Sequence, residues 1–215
     1  MTLISVIIPS RDRTESLLRA ISSIRATQGS YEPEIVVVLD EPDQASQQAL
    51  AARSDVKVVV VTADYLGRPQ DKFNVGLEDA TGEWIVAFAD DCEMVSDGWI
   101  DACLAANVGG FVGLYDGVND PGHFASLLMA SRSYIDTVMD GYLGLPFYRH
   151  CMADVEWAER ARERGAYVVC REARFKHYHP ALMTGPSDAL YQSGASWNAV
   201  DRETFARRKA EGWPK

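Results

Sequence analysis

The chain has 215 residues, 47% of them hydrophobic, and a formal net charge of -10 at pH 7. Its length suits one sizeable core, so a single domain over residues 1–215 is expected, and its acidity argues against nucleic acid as the default partner. A cytoplasmic protein is expected, because there is no basic leader and no apolar run long enough to span a bilayer, while four scattered cysteines without a CxxC pair indicate neither a zinc knuckle nor a disulfide framework.

Apolar strand-like runs alternate with helix-like stretches along the first half of the chain. This alternation is typical of a parallel sheet with helical crossovers. A first helix is expected to open at Thr14 and to end at Gly29. The other elements expected here are helices over residues 44–52 and 71–79, and strands over residues 3–8, 35–39, 57–62 and 84–89.

The strand expected over residues 84–89 is followed by two adjacent acids, Asp90 and Asp91. The strand itself is apolar apart from one indole N–H, which indicates burial on both faces. In open α/β sheets the carboxyl ends of parallel strands form the crevice where ligands bind. Two carboxylates there predict a divalent cation and a phosphorylated ligand. The alternative is that the acids only start a turn.

The second half of the chain is less regular, because turn-forming residues dominate 109–110 and 116–122. In the tail, Asp201 and Thr204 form a capping pattern that predicts a charged helix over residues 201–210, packed along one edge. The elements expected between the turns and the tail are strands over residues 126–129 and 167–170 and helices over residues 134–139 and 154–164.

Four segments, in this order along the chain, resemble the motifs of family 2 glycosyltransferases of the GT-A fold. They are residues 6–13 (VIIPSRDR), residues 74–85 (NVGLEDATGEWI), the pair Asp90-Asp91, and the acidic helix start at 153–157 (ADVEW). The resemblance covers roughly residues 3–180. It implies an α/β Rossmann-like fold with a mixed, mostly parallel central sheet flanked by helices. Within the single domain it implies a nucleotide-binding half over about 1–95, an acceptor and catalytic half over about 96–180, and a tail over 181–215.

The function implied by the resemblance is metal-dependent, inverting transfer of a sugar from a nucleotide-sugar to an acceptor hydroxyl. Asp90 and Asp91 match the family's DxD-type motif, whose last acid holds the metal while the preceding acid faces the ribose. Ala89 replaces the first acid, and Glu93 is a substitute for it. A later histidine often completes the metal site, here His177 or, second, His179. Mn²⁺ or Mg²⁺ is the expected metal.

The catalytic base implied by the resemblance is Asp154, which matches the acid that deprotonates the acceptor hydroxyl. A carboxylate in the first turn of a helix is kept ionised by the helix dipole. Ala153 stands where the family usually has Glu, so Glu156 remains a rival for the role. The structural alternative for Asp154 is an ordinary helix cap.

The nucleotide site is implied by positions at strand ends and on the third helix. Asp40 resembles an acid that hydrogen-bonds the base, but Leu39 and Glu41-Pro42 depart from the family pattern and weaken the claim for uracil. A UDP-sugar is still the preferred donor. For Lys72, a solvated helix charge is an equal alternative. The residues assigned to the nucleotide are Pro9, Ser10, Arg11, Arg13, Asp40, Lys72, Asn74, Asp90 and Asp91.

The acceptor is left open as a saccharide, a lipid carrier, a protein or a hydroxymethylated base in DNA. Trp99 and residues 141–150 are expected to border its site. DNA would require a local track of basic residues on the surface. The alternative is that the basic residues only form ordinary solvated faces. A non-catalytic nucleotide-binding domain is a further alternative, because Ala89 and Ala153 replace acids. The candidate basic track comprises Arg160, Arg162, Arg164, Arg171, Arg174, Lys176, Arg202, Arg207, Arg208 and Lys209.

Overall fold

The computed structural model describes residues 2–62, 68–119, 125–185 and 187–214. Within these ranges, one eight-stranded sheet has the strand order β3-β2-β1-β4-β7-β6-β8-β5. The strands are β1 Ile4–Ser10, β2 Glu34–Asp40, β3 Lys57–Val61, β4 Trp84–Ala87, β5 Cys92–Met94, β6 Phe111–Tyr115, β7 Leu128–Ser131 and β8 Val169–His177. The helices are α1 Thr14–Thr27, α2 Gln44–Leu50, α3 Pro69–Asp79, α4 Trp99–Ala106, α5 Arg132–Val138, α6 Ala153–Glu163, α7 Ala189–Ala195 and α8 Asn198–Ala210.

The first half of the chain forms the parallel part of the sheet, as predicted. β1 lies between β2 and β4 and pairs in parallel with both, and β3 pairs in parallel with β2. β1 continues through Pro9 to Ser10, two residues beyond its expected end. Ile7 accepts a hydrogen bond from the amide of Phe88 on the β4 side, so Pro9, two residues later, faces the same side after β4 has ended. Its missing N–H therefore breaks no ladder bond.

Among the described residues, four α-helices and strands were not predicted from the sequence: β5, α4, β6 and α7. β6 follows the turn at residues 109–110 and carries Gly113 at its centre, where an added Cβ would overlap the side chain of Ala125. This glycine is required by close packing, not by a turn. β8 runs to His177, seven residues beyond its expected end, because the segment pairs with β5 and β6.

Two apolar clusters cover the two faces of the sheet. Alternate residues of β1 enter different clusters: Val6 and Ile8 pack with α1 and α4, whereas Ile7 packs with Leu77 of α3 and Trp157 of α6. β1 is buried along its whole length. The core therefore fixes the positions at which β1 and β4 end.

The tail helix α8 begins at Asn198, three residues before its expected start. Asp201 is therefore inside the helix and does not cap it. Asp201 and Arg208 are 1% and 2% exposed, so the helix packs through two buried charges. Within the described ranges, no helix combines the length and apolar character that crossing a membrane requires.

Candidate active site

A cleft of about 510 Å³ opens at the carboxyl ends of β1 and β4. Four of the residues predicted to form the site, Asp90, Asp91, Asp154 and His177, line this one cleft. The location agrees with the rule that ligands of α/β sheets bind beyond the carboxyl ends of the strands. The predicted residues Pro9, Ser10, Arg11, Arg13, Lys72 and His179 line it as well.

Asp90 and Asp91 lie in the turn between β4 and β5, and both are buried. Ser10 Oγ donates a hydrogen bond of 2.7 Å to Asp90 Oδ2, and Arg13 NH1 lies 3.1 Å from Asp90 Oδ1 and 3.5 Å from Asp91 Oδ2. Burial, helped by the neighbouring Asp91 charge, raises the pKa of Asp90. Burial also acts to raise the pKa of Asp91, but His177, Tyr191 and Arg13 outweigh it and lower that pKa.

His177 reaches Asp91 because of the register between β5 and β8. Cys92 of β5 lies directly opposite His177, and the amide of Tyr178 donates to the carbonyl of Asp91 at 2.9 Å. His177 Nε2 lies 3.5 Å from Asp91 Oδ1. Among the described residues, Asp91, Cys92 and His177 form a group whose potential ligand atoms all lie within 4.8 Å of one another. Carboxylate oxygen and imidazole nitrogen fit Mn²⁺ better than Mg²⁺, which prefers an all-oxygen octahedron.

The two remaining metal candidates differ in position. The His179 ring lies 5.0 Å from the His177 ring, so both imidazoles face the cleft. Burial, together with the charge of His177, lowers the pKa of His179. Glu93 is not part of the cleft lining, and its Oε2 accepts a hydrogen bond from Tyr178 Oη at 2.5 Å. Glu93 therefore does not replace the acid missing at Ala89.

Two residues of the tail, Tyr191 and Asp188, contact residues of the cleft and were missed in the sequence. Tyr191 of α7 donates a hydrogen bond to Asp91 Oδ2, and the Arg13 guanidinium stacks over the Tyr191 ring at 4.6 Å. Asp188 binds Arg13 through both carboxylate oxygens, at 2.8 and 3.0 Å. Asp188 is also the cap of α7, and a capping residue before a helix was the one signal that could have drawn attention to this segment. Arg13 and Tyr191 therefore occupy the surroundings of Asp91.

Asp154 lies in the first turn of α6 and faces the cleft. Its Oδ1 accepts from the amide of Val155 at 2.9 Å. Burial raises the pKa of Asp154 to about 6, although backbone hydrogen bonds lower it in part. The carboxylate is therefore ionised at neutral pH and still basic enough to take a proton.

Glu156, the rival of Asp154, points away from the cleft and is fully buried. Arg208 binds it through Nε and NH2 at 2.9 and 2.8 Å, and Tyr148 donates to it as well. Arg160 NH1 approaches it at 3.4 Å. Glu156 therefore has structural partners and no path to a ligand in the cleft.

The predicted nucleotide residues fall into two groups. Pro9, Ser10, Arg11 and Arg13 line the cleft after β1. Asp40 is buried beneath it and paired with Lys72, whose Nζ lies 2.8 Å from Asp40 Oδ1. The alternative of a solvated charge for Lys72 is wrong, because its side chain is 4% exposed.

Asn74 does not face the cleft, because its side chain is bound to backbone. Its Nδ2 donates to the carbonyl of Gly144 at 2.7 Å, and its Oδ1 accepts from the amide of Gly144 at 2.9 Å. Both polar atoms are thereby used. Asn74 therefore joins α3 to the loop before α6.

Part of the expected acceptor region and basic track lies elsewhere. Trp99 is fully buried in the core beside α1, so it does not border a sugar. Arg149 and His150 line the cleft together with Trp197, which the sequence did not indicate. Arg160 and Arg208 are buried by their partners, so neither can face a polyanion.

The fold of this chain is similar to the folds of several solved structures. TarS 1–349 from S. aureus, in complex with UDP-GlcNAc, is similar in fold with a TM-score of 0.63 and 16% identity over 89% of this chain and 60% of that one. The mannosyltransferase PcManGT from Pyrobaculum calidifontis, in complex with GDP-Man and Mn²⁺, has a TM-score of 0.62 and 15% identity over 97% of this chain and 73% of that one. This chain thus spans about 60% of the length of TarS 1–349. No curated protein sequence matches the chain.

The family assignment rests on the sequence itself. The model of "Glycosyl transferase family 2" matches residues 5–129. These residues contain β1, β4, the two acids and most of the strands that build the cleft. Because the match covers more than half of the chain, the protein belongs to glycosyl transferase family 2, and its fold is of the GT-A type.

Proposed function

We propose that this protein transfers a sugar from a nucleoside diphosphate sugar to an acceptor hydroxyl, with inversion and with the help of a divalent cation. The observation that carries the proposal is the placement of Asp91, His177 and Asp154 in one cleft. Structural neighbours in complex with UDP-GlcNAc and with GDP-Man and Mn²⁺ support a nucleotide-sugar donor. A UDP-sugar is the first donor to test.

The donor would bind at the end of β1 and β4. Asp91 and His177 would hold the cation, with His179 beside them. A divalent cation bound there neutralises the negative charge that builds on the departing nucleoside diphosphate. Arg13 supplies positive charge from the chain itself at the same place. Its present partners, Asp90, Asp91 and Asp188, keep that charge within the cleft.

Asp154 would act as the base. The acceptor hydroxyl gives its proton to the Asp154 carboxylate while its oxygen forms a bond to the anomeric carbon. The bond from that carbon to the diphosphate oxygen breaks in the same step, so a single displacement inverts the configuration. The raised pKa of Asp154 suits it to this role near neutral pH.

A donor panel tests this proposal most directly. Purified protein is incubated with UDP-, GDP-, ADP- and dTDP-sugars, with Mn²⁺, with Mg²⁺ or with EDTA, and release of the nucleoside diphosphate is measured. We expect cleavage of one donor that depends on the cation, and loss of cleavage in Asp91→Asn. Binding of a donor without cleavage under any condition would instead support the non-catalytic alternative.

Modified DNA is the less favoured acceptor. The net charge of -10 disfavours binding to a polyanion. The burial of Arg160 and Arg208 removes two residues from the candidate basic track. We expect no binding to a hydroxymethylated duplex at low salt. Binding that falls steeply as salt is raised would restore DNA as a candidate.

A further inference from the structure

Helix α8 is attached to the segment that carries the candidate base. Arg208 and Asp201 are seven residues apart and lie on one face of α8. Arg208 binds Glu156 inside α6, at 2.8 and 2.9 Å. Asp201 binds the backbone ahead of α6. The two buried charges therefore hold the chain on both sides of Asp154.

The contact of Asp201 is made with backbone amides. Its Oδ1 accepts from the amide of Arg149 at 3.0 Å, and its Oδ2 accepts from the amides of His150 and Cys151 at 2.7 and 2.8 Å. Hydrogen bonds to an ionised acceptor are stronger than neutral ones. Three of them on consecutive residues fix the path of a segment that belongs to no helix or strand.

The fixed segment leads directly to Asp154. Met152 has a φ of +73°, in the left-handed region, and it is the cap of α6. A residue with a side chain holds that conformation only where the surroundings enforce it. The bonds from Asp201 end at Cys151, immediately before Met152. They therefore constrain the turn that sets the start of α6.

We propose that Asp201 is a positioning residue, which sets the direction in which Asp154 enters the cleft by holding the backbone of residues 149–151. This inference rests on the proposed function. Asp201 is not part of the cleft lining, so its loss would act through the backbone of residues 149–151 and, through it, on the placement of Asp154. A shift of about 1 Å in a catalytic group can lower a rate about 100-fold. Binding of the donor by the residues that follow β1 and β4 would be unaffected.

The test is Asp201→Asn, measured by hydrolysis of the nucleotide-sugar that the donor panel selects, with Mn²⁺ present. Asparagine retains one acceptor oxygen and turns an NH2 group toward backbone donors, so part of the contact is lost. We expect kcat to fall at least tenfold while the KM for the donor stays within twofold. We also expect faster hydrogen exchange at the amides of residues 149–151.

Two variants in the tail serve as matched controls. Glu203→Gln removes an exposed carboxylate from α8, and Trp213→Phe removes the 3.0 Å bonds from Nε1 to Glu163 and loosens the docking of the tail. Both are expected to keep the wild-type kcat. A kcat loss in Asp201→Asn no larger than in Trp213→Phe would overturn the proposal, because Asp201 would then only stabilise the tail.

Three other outcomes are also decisive. If Asp201→Asn does not fold, Asp201→Ser removes the charge with a smaller side chain, and a wild-type kcat in that variant would overturn the proposal. A wild-type protein that cleaves no donor would overturn the proposed function, and this inference with it. An active wild type with an unaffected Asp201→Asn would overturn the inference alone.

Discussion

At the scale of single residues, two carboxylates of the cleft, Asp90 and Asp154, are held ionised at a cost to stability. Burial raises the pKa of Asp154 to about 6 and also raises the pKa of Asp90. A carboxylate with a raised pKa is easier to protonate in the folded state, so its ionisation disfavours folding. The cost is absent below the unfolded pKa near 4. It grows as the pH rises to about 6 and stays constant above that.

Asp154→Asn is predicted to abolish turnover and to stabilise the protein. Without the base, kcat should fall at least about 100-fold, while nucleotide binding should be unchanged because the residues after β1 and β4 are intact. The free energy of unfolding should increase by about 1–3 kcal/mol at pH 8, because the buried charge is removed. Urea denaturation at pH 8 and pH 4 measures this change.

The pH comparison is the control for Asp154→Asn. At pH 4 the wild-type carboxyl is largely protonated in the folded state, so the gain in unfolding free energy should nearly disappear. An equal gain in unfolding free energy at both pH values would mean that the ionised carboxylate of Asp154 does not cause the gain. Near-normal turnover would remove Asp154 from the mechanism.

Tyr191→Phe is predicted to strengthen cation binding. The Tyr191 hydroxyl uses one oxygen of Asp91, so a cation that binds Asp91 has to displace it. A hydrogen bond to a charged group contributes about 1.5–3 kcal/mol. Part of this free energy is regained when the displaced hydroxyl forms a hydrogen bond to water. We expect the Kd for Mn²⁺ to fall by about threefold to tenfold, measured by titration calorimetry.

Tyr178→Phe is the matched control for this prediction. It removes a tyrosine hydroxyl from another carboxylate, Glu93, which lies outside the cleft. Its affinity for Mn²⁺ should equal that of the wild type. A Tyr191→Phe protein with unchanged or weaker cation binding would show that the Tyr191 contact does not compete with the cation.

At the scale of elements, α3 is tied to the loop between α5 and α6. Asn74 provides the two side-chain bonds, and Gly144 allows the backbones to approach, since a Cβ there would overlap the backbone of Gln70. Lys72 on the same helix is paired with Asp40 at the end of β2. α3 therefore connects the end of β2 to the loop before α6.

Asn74→Ala is predicted to destabilise the protein without weakening donor binding. Two hydrogen bonds to part-buried backbone are lost, which should lower the free energy of unfolding by about 1–3 kcal/mol. The KM for the donor should stay within twofold, measured beside Glu78→Ala, an exposed truncation on the same helix. A tenfold rise in KM with unchanged stability would instead assign Asn74 to the nucleotide.

At the scale of the whole molecule, the tail packs against the cleft and against α6. α7 reaches the acids through Tyr191, and α8 reaches α6 through Arg208 and the preceding loop through Asp201. Arg208 also stacks over the ring of Phe147, with its guanidinium carbon 3.4 Å from the centroid. The tail is thus part of the domain.

Glu156→Gln is predicted to loosen the tail. The buried guanidinium groups of Arg208 and Arg160 would lose their shared carboxylate, and breaking a buried ion pair costs about 3–5 kcal/mol. Urea denaturation and limited proteolysis of the tail measure the effect. Glu159→Gln, which removes a more exposed partner of Lys209, should change stability by less than about 1 kcal/mol. A stable Glu156→Gln protein that lacks only turnover would return Glu156 to the role of base.

The sequence predicted the parallel half of the fold better than the antiparallel half. In the parallel half, buried strands such as β2 are nearly continuous apolar runs, and the helices between them have clear ends such as Gly29. In β8, by contrast, charged residues alternate with buried ones as far as His177, and only pairing with β5 and β6 makes this segment a strand. Strand pairing between distant segments leaves little trace in local composition.

By itself, the sequence determined the family, the apolar strand that ends in Asp90 and Asp91, and the acid at the start of α6. These are local features, because a strand end or a helix cap is set by a few neighbouring residues. Only the tertiary structure decided which polar residues face the cleft. It turned Glu93, Asn74 and Glu156 toward other partners, and it brought Tyr191 and Asp201 from the tail. The reason is that the partner of a side chain depends on strand register and helix packing, which join residues far apart in the chain.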